Sequence, residues 1–147
     1  MRNVRYTVSS LCWLLVACSP STVAHPSSLP RSLIEQDSLV ARRESGPHNG
    51  GGQTTAYSFF DKETGLPMVF RKRELHAGSA IGYHRNDEDE IYYVLSGRGE
   101  LTLNGERRLV GPGTAILTRA GDSHGLRQIG DEDLVIIITY PRSPSQR

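Results

Sequence analysis

The chain has 147 residues, enough for one domain plus a leader and for a hydrophobic core that needs no disulfide staples. Its 15 glycines and 8 prolines, with few long helical apolar patterns, favour a turn-rich β protein. The net charge is only +1 and no basic run or basic–aromatic stripe occurs, so nucleic acid is not an expected partner.

The first segment reads as an export signal. Arg2 and Arg5 give a positive start, and residues 11–17 form an apolar stretch far too short to span a bilayer as a helix. Leu15, Val16, Ala17 and Cys18 resemble the bacterial lipobox, in which the cysteine becomes the lipidated first residue of the mature protein. On that reading residues 1–18 are a lipoprotein-type signal peptide and Cys18 carries the lipid. The product is then an exported, membrane-anchored lipoprotein facing the periplasm or the cell exterior. The alternative is cleavage after Ala24, marked by the small pair Thr22 and Ala24, which would release a freely secreted protein. Cys12 falls inside the signal, so the mature body would hold no thiol for a disulfide. Losing Arg2 and Arg5 with no acid keeps the net charge within one unit of zero, and long-range electrostatics do not select a partner.

Residues 19–31 are Ser/Pro-rich and aperiodic, as in a tether. Ser32 and Glu35 stand at capping-box spacing, and Leu33, Ile34, Asp37 and Val40 share a rough, mostly apolar helical face, so a short helix is expected through about residue 43. The glycine-rich stretch 46–53 ends it. There His48 either lines a site opening or sits in a mobile surface loop. The expected organisation is a linker with a short helix over 19–50, a β-barrel over 51–141 and a frayed tail over 142–147.

From Thr54 onward apolar and aromatic residues alternate in short runs between turn residues. They predict strands at 56–60, 68–75, 79–84, 90–96, 99–103, 106–110, 114–118, 124–128 and 134–140. Asn104-Gly105 between two such runs is a type I′ hairpin signal. So many short strands imply an all-β sandwich or jelly-roll barrel. The run 134–139 is apolar on both faces and is expected to be a central, fully covered strand.

His84 and Asn86 lie two apart, so a continuing strand would send both side chains to one face. Glu90 opens the next strand and His124 a much later one, directly after a glycine turn. Such strand ends can converge inside a barrel. Two neutral imidazoles and a carboxylate form a facial triad with open positions, which suits Fe(II), Mn(II), Ni(II) or Zn(II).

These residues resemble the two motifs of the cupin family. Gly78, His84, Glu90 and Gly97 hold the spacing of the first motif, with Asn86 in its second His slot. Gly113, Gly121 and His124 hold that of the second, with Arg119 in a Pro slot and Gln128 in an Asn slot. The resemblance covers about residues 66–141. It implies a double-stranded β-helix, or jelly-roll barrel, with one divalent metal ion on His84, Glu90 and His124, and pairing into a homodimer. An amide oxygen is a harder ligand than imidazole, so Asn86, if it ligates, favours Mn or Fe over Zn. Some cupins have lost their metal. The histidines would then be hydrogen-bonded core residues and Glu90 a buried acid needing an arginine partner.

Counting by two from Glu90 places Tyr92 on its face, a candidate proton donor; counting from His124 reaches Leu126 and Gln128, and Gln128 is a candidate cofactor-binding residue. On 68–75, Val69, Arg71, Arg73 and Leu75 share a face. If Leu75 points inward, Arg73 does too and would suit an anionic ligand; otherwise the arginines form an exterior charge ladder. Tyr83, next to His84, is expected to face outward, and Arg119 to be a surface residue. The resemblance then implies a metal-dependent enzyme of isomerase, lyase or dioxygenase type acting on a small polar or anionic, sugar-acid-like molecule. The alternatives are a lipid-anchored ligand-binding module without catalysis and an interaction protein whose metal serves only stability.

Overall fold

The protein is represented by a computed structural model that describes residues 32–63 and 65–143. The export signal, Cys18 and the Ser/Pro tether lie outside the described residues. In chain order the elements are α1 (Asp37–Val40), β1 (Ala41–Ser45), β2 (Gln53–Phe59), β3 (Met68–Leu75), β4 (Ala80–Arg85), β5 (Glu90–Ser96), β6 (Arg98–Leu103), β7 (Glu106–Val110), β8 (Ala115–Thr118), β9 (Ser123–Ile129) and β10 (Leu134–Pro141). All pairings are antiparallel. The strands make a six-stranded sheet in the order β1-β2-β3-β10-β5-β8 and a four-stranded sheet in the order β4-β9-β6-β7. This two-sheet, all-β architecture is that of a jelly-roll barrel.

The strands from β2 onward form where alternation predicts them. Their inward positions supply the core: Leu75, Val94, Ile116, Leu134 and Ile136 from the larger sheet meet Ile81, Leu101, Val110 and Leu126 from the smaller. Leu75, Val94, Leu134 and Ile136 are 0 % exposed, and full burial of each such side chain stabilises by about 1.5–3 kcal/mol. The hairpin after β6 is as its sequence demands, with Asn104 at φ +48° and Gly105 at +85°, both left-handed as a type I′ turn requires.

Two expectations need correction. The N-terminal helix is a single turn, and from Ala41 the chain runs extended as β1, pairing Ala41 with Tyr57 through Ser45 with Gln53. The turn buries no residue, so local helix propensity has nothing to reinforce it, whereas β1 satisfies the open edge of β2. Glu35 caps no helix; its carboxylate accepts the Phe60 N–H at 2.7 Å. The sheet thus begins inside the segment read as linker. In addition, β10 is central but covered on one face only: Val135 and Ile137, pointing outward, are half-buried. The neighbouring outward residues Ile91, Tyr93, Leu95 and Leu117 are 43–45 % exposed. Ile91 pairs with Leu117 and Tyr93 with Ile137, so the outer face of this sheet is a contiguous apolar patch.

Candidate metal centre

Along the inner face, successive side chains change from apolar to polar at one level of the barrel. On β5 the series is Val94, Tyr92, Glu90; on β9, Leu126, His124; on β4, Ile81, His84; on β3, Leu75, Arg73, Arg71. One end is therefore a closed apolar core. The other is a cavity of about 410 Å³, lined among others by His84, Asn86, Glu90, Tyr92 and both arginines.

A bulge puts His84 there. Ile81 and His84 both face inward although they are three apart, because the register shifts between them: Ile81 pairs with Leu126 and His84 with His124. The extra residue leaves Tyr83 outside, 55 % exposed as expected. Gly82, within the bulge, does three further things. Its N–H donates to the Pro47 carbonyl at 2.9 Å, and its own carbonyl accepts His84 Nδ1–H at 2.8 Å. A Cβ there would stand 1.9 Å from the His48 carbonyl oxygen, so only glycine admits this approach. The glycine-rich loop is consequently docked backbone to backbone on β4, with His48 and Asn49 exposed at the surface. It delivers His48, at φ +52°, flat against the His84 ring with centroids 3.4 Å apart. Burial first, and then the His84 ring, hold the His48 pKa below its ordinary value.

His84, Glu90 and His124 each offer a ligand atom within 4.8 Å of the others. The His84 Nδ1 bond to Gly82 leaves Nε2 free. His124 is 0 % exposed; its Nδ1 faces the Thr118 hydroxyl at 2.5 Å, and its Nε2 lies 3.2 Å from Glu90 Oε2 and 3.1 Å from the Tyr92 hydroxyl. Two ligand atoms about 2.1 Å from one ion stand roughly 3–3.5 Å apart, so the His124–Glu90 separation fits a shared cation. The partners that orient the imidazoles are therefore a backbone carbonyl and a threonine, while no carboxylate of Asp87, Glu88, Asp89 or Asp122 takes that part. Asn86 is buried beside Glu90 and donates its amide to Oε2 at 3.1 Å. Burial alone would raise the Glu90 carboxyl, but hydrogen bonds from His124 and Asn86 outweigh it and hold the pKa below its usual value. Burial first, and then that carboxylate, push the Tyr92 phenol well above its ordinary range. The residues present fit a divalent ion with two imidazoles and one carboxylate, leaving positions for a ligand.

Loop-to-loop bonds lock these strand ends together. Asn86 N–H donates to Asp122 O and Gly121 N–H to Asn86 O, both at 2.8 Å. Asp89 accepts the Ala120 N–H and pairs with Arg119 at 2.7 Å, so Asp89 is a tie between the two motif segments, while Arg119 lies at the surface.

Two remaining site candidates fall differently. Arg73 points inward and is 5 % exposed, but it is already engaged: the same nitrogen donates to Thr54 Oγ1 at 2.8 Å and pairs with Glu44 Oε1 at 2.7 Å. Gln128 is not brought to the cavity. Four residues along β9 from His124 is about 13 Å, at the closed end of the barrel. There its amide accepts the Gly78 N–H and donates to Gly130 O and Glu132 O, each at 2.8 Å, so it is a clamp between loops. Sequence reasoning missed Thr118, and it offered His48 for a site opening without its stack on His84. Thr118 shares the inward face of Ile116 and could have been found by period-2 counting; the His48 stack depends on a non-local approach that no local pattern carries.

Comparison with known proteins agrees with this architecture. The cupin domain family matches residues 72–140. The oxalate-binding protein of Thermotoga maritima is 29 % identical over 105 residues, spanning 69 % of this chain and 87 % of that protein. A Thermotoga maritima crystal structure described as a predicted oxalate decarboxylase is similar with a TM-score of 0.68 at 25 % identity, covering 76 % of this chain and 100 % of that one. A polyketide cyclase from Streptomyces resistomycificus shares the fold at a TM-score of 0.63 and 23 % identity, covering 75 % of this chain and 80 % of that one. With the motif spacing, the two-sheet barrel and these likenesses in agreement, the chain belongs to the cupin superfamily.

Proposed function

We propose that the protein is a metal-dependent cupin enzyme acting on a small anionic molecule of carboxylate type. The observation that carries this reading is one cavity lined by His84, Glu90 and arginines, with the buried His124 completing a three-residue ligand cluster beside it. The likeness to an oxalate-binding protein supports the same ligand class. His84, Glu90 and His124 would hold the ion, with Asn86 orienting Glu90. Mn or Fe is favoured because the Glu90 carboxylate supplies a hard oxygen ligand. When bound, such an ion supplies a Lewis acid, or a redox centre if it is Fe. The chain's own groups then position the ligand: Tyr92 presents a buried hydroxyl at the His124 edge, and the docked His48 loop walls the mouth on the His84 side.

The remaining parts of the reading are of the same kind. Lipidation at Cys18 would anchor the barrel to a membrane in the periplasm or at the cell exterior, and Cys18→Ser would move it to the soluble fraction. The apolar outer sheet face would pair two copies in a homodimer, detectable as a dimeric mass in solution.

The test of activity loads the protein with Mn(II) or Fe(II) and follows oxalate, malonate and a hexuronic acid by NMR. Product formation supports an enzyme. Saturable binding with no turnover of any of them supports the alternative, a ligand-binding module. Neither binding nor turnover by metal-loaded protein defeats the anion reading.

A further inference from the structure

Three arginines line the cavity, and their circumstances differ. Arg73 is buried and its charge is matched by Glu44. Arg85 lies at the rim, with a side chain 70 % exposed and Nε–H donating to the Gly121 carbonyl at 3.1 Å. Arg71 differs from both. Among the described residues it makes no hydrogen bond and no ion pair, and its Nε is buried without an acceptor. Its guanidinium is steadied by the Tyr140 ring, with a centroid distance of 5.8 Å, and a contact through the π face uses none of the five N–H donors.

Register fixes the height of each arginine. Arg73 pairs with Ile136, which pairs with Val94, so Arg73 lies at the level of the apolar core. Arg71 pairs with Ile138, which pairs with Tyr92, so Arg71 lies at the level of the candidate metal centre. Two strand spacings, about 9.5 Å, separate the Arg71 and Tyr92 backbones, and both side chains point into the same cavity. With no protein acceptor among the described residues on any N–H group of Arg71, its guanidinium is left unengaged for a carboxylate entering the cavity.

We infer that Arg71, rather than Arg73, is the receptor for a carboxylate of the ligand. The ligand class is then a short dicarboxylate or hydroxy acid, with one oxygen-bearing end toward His84, Glu90 and His124 and a carboxylate at Arg71. This rests on the anion reading of the cavity and goes further, because it names the residue that sets charge specificity and the two-ended form of the ligand.

The experiment uses Mn-loaded mature protein, with metal content measured for every variant, and titrates malonate and its neutral isostere malonamide by calorimetry. Wild type should bind malonate well above malonamide. Arg71→Gln should lose about ten- to hundredfold of the malonate affinity with metal content and malonamide binding unchanged, as expected for a lost charge-assisted pair. Arg71→Lys should keep part of the preference, as a point charge without the fork. Arg85→Gln should change malonate affinity less than threefold. In wild type, malonate should also protect Arg71 from phenylglyoxal, read by peptide mass spectrometry, which needs no variant to fold. Malonate affinity that survives Arg71→Gln, or a preference lost instead in Arg85→Gln, overturns the assignment to Arg71. Metal-loaded wild type that binds no carboxylate overturns the anion reading itself.

Discussion

The two ends of this barrel are built on the same strands and do opposite work. At the closed end Leu75, Val94, Leu126, Leu134 and Ile136 interdigitate at zero or near-zero exposure, and Gln128 clamps the loops across it with every amide atom bonded. At the open end, two to four residues further along the same inner faces, His84, Glu90, Tyr92 and Arg71 line a cavity, with the buried His124 beside Glu90 and Tyr92. A jelly roll thus separates stability from chemistry by level. Substitutions at one end should be readable in one quantity and leave the other alone.

The largest expected effect lies at the closed end. Ile136→Ala removes buried methyl groups where neighbours cannot collapse, and should cost about 2–5 kcal/mol of unfolding free energy by urea titration. Metal content per folded molecule should not change. A loss of metal as well would break the separation of levels. Thr118→Val tests the reverse. It preserves shape but removes the hydroxyl that orients His124, so metal affinity should fall about ten- to hundredfold in a competition assay with a chelating dye. Asn86→Ala removes one donor to Glu90 and should weaken metal binding by less than Thr118→Val does. The smallest effect is on pH dependence. The fold holds the Glu90 carboxyl below its ordinary pKa, so its contribution to stability is present above that ordinary value and is lost as pH falls through the lower folded one. The midpoint of thermal unfolding of metal-free protein should fall with acid over that window, and Glu90→Gln should flatten the fall.

The same contrast shows what the sequence made legible. Alternation in β5 and β10 and the Asn104-Gly105 turn are local signals, and those strands lie where they predict. His84, Glu90 and His124 were legible because each sits at a strand end next to a marked turn. The strand β1 was not: its sequence, ARRES, has no apolar alternation and is exposed throughout, and it is a strand only because β2 offers an edge. That omission had a consequence at the site. Glu44 lies on β1, so the partner that neutralises Arg73 was invisible, and Arg73 looked like the available cation of the pair. Period-2 counting placed Arg71 and Arg73 on one face but could not rank them, since their difference arises from residues distant in the chain. The docking of the His48 loop on Gly82 was hidden for the same reason.

The central claim is that strand ends far apart in sequence bring His84, Glu90 and His124 to one cation, and metal stoichiometry tests it most directly. Mature protein stripped with chelator and reconstituted separately with Mn, Fe, Ni and Zn should retain about one ion per chain for at least one of them by elemental analysis after desalting. His124→Ala should retain none while staying folded by circular dichroism. Wild type that retains no ion under any of the four conditions, or a folded His124→Ala that retains as much as wild type, would contradict the account.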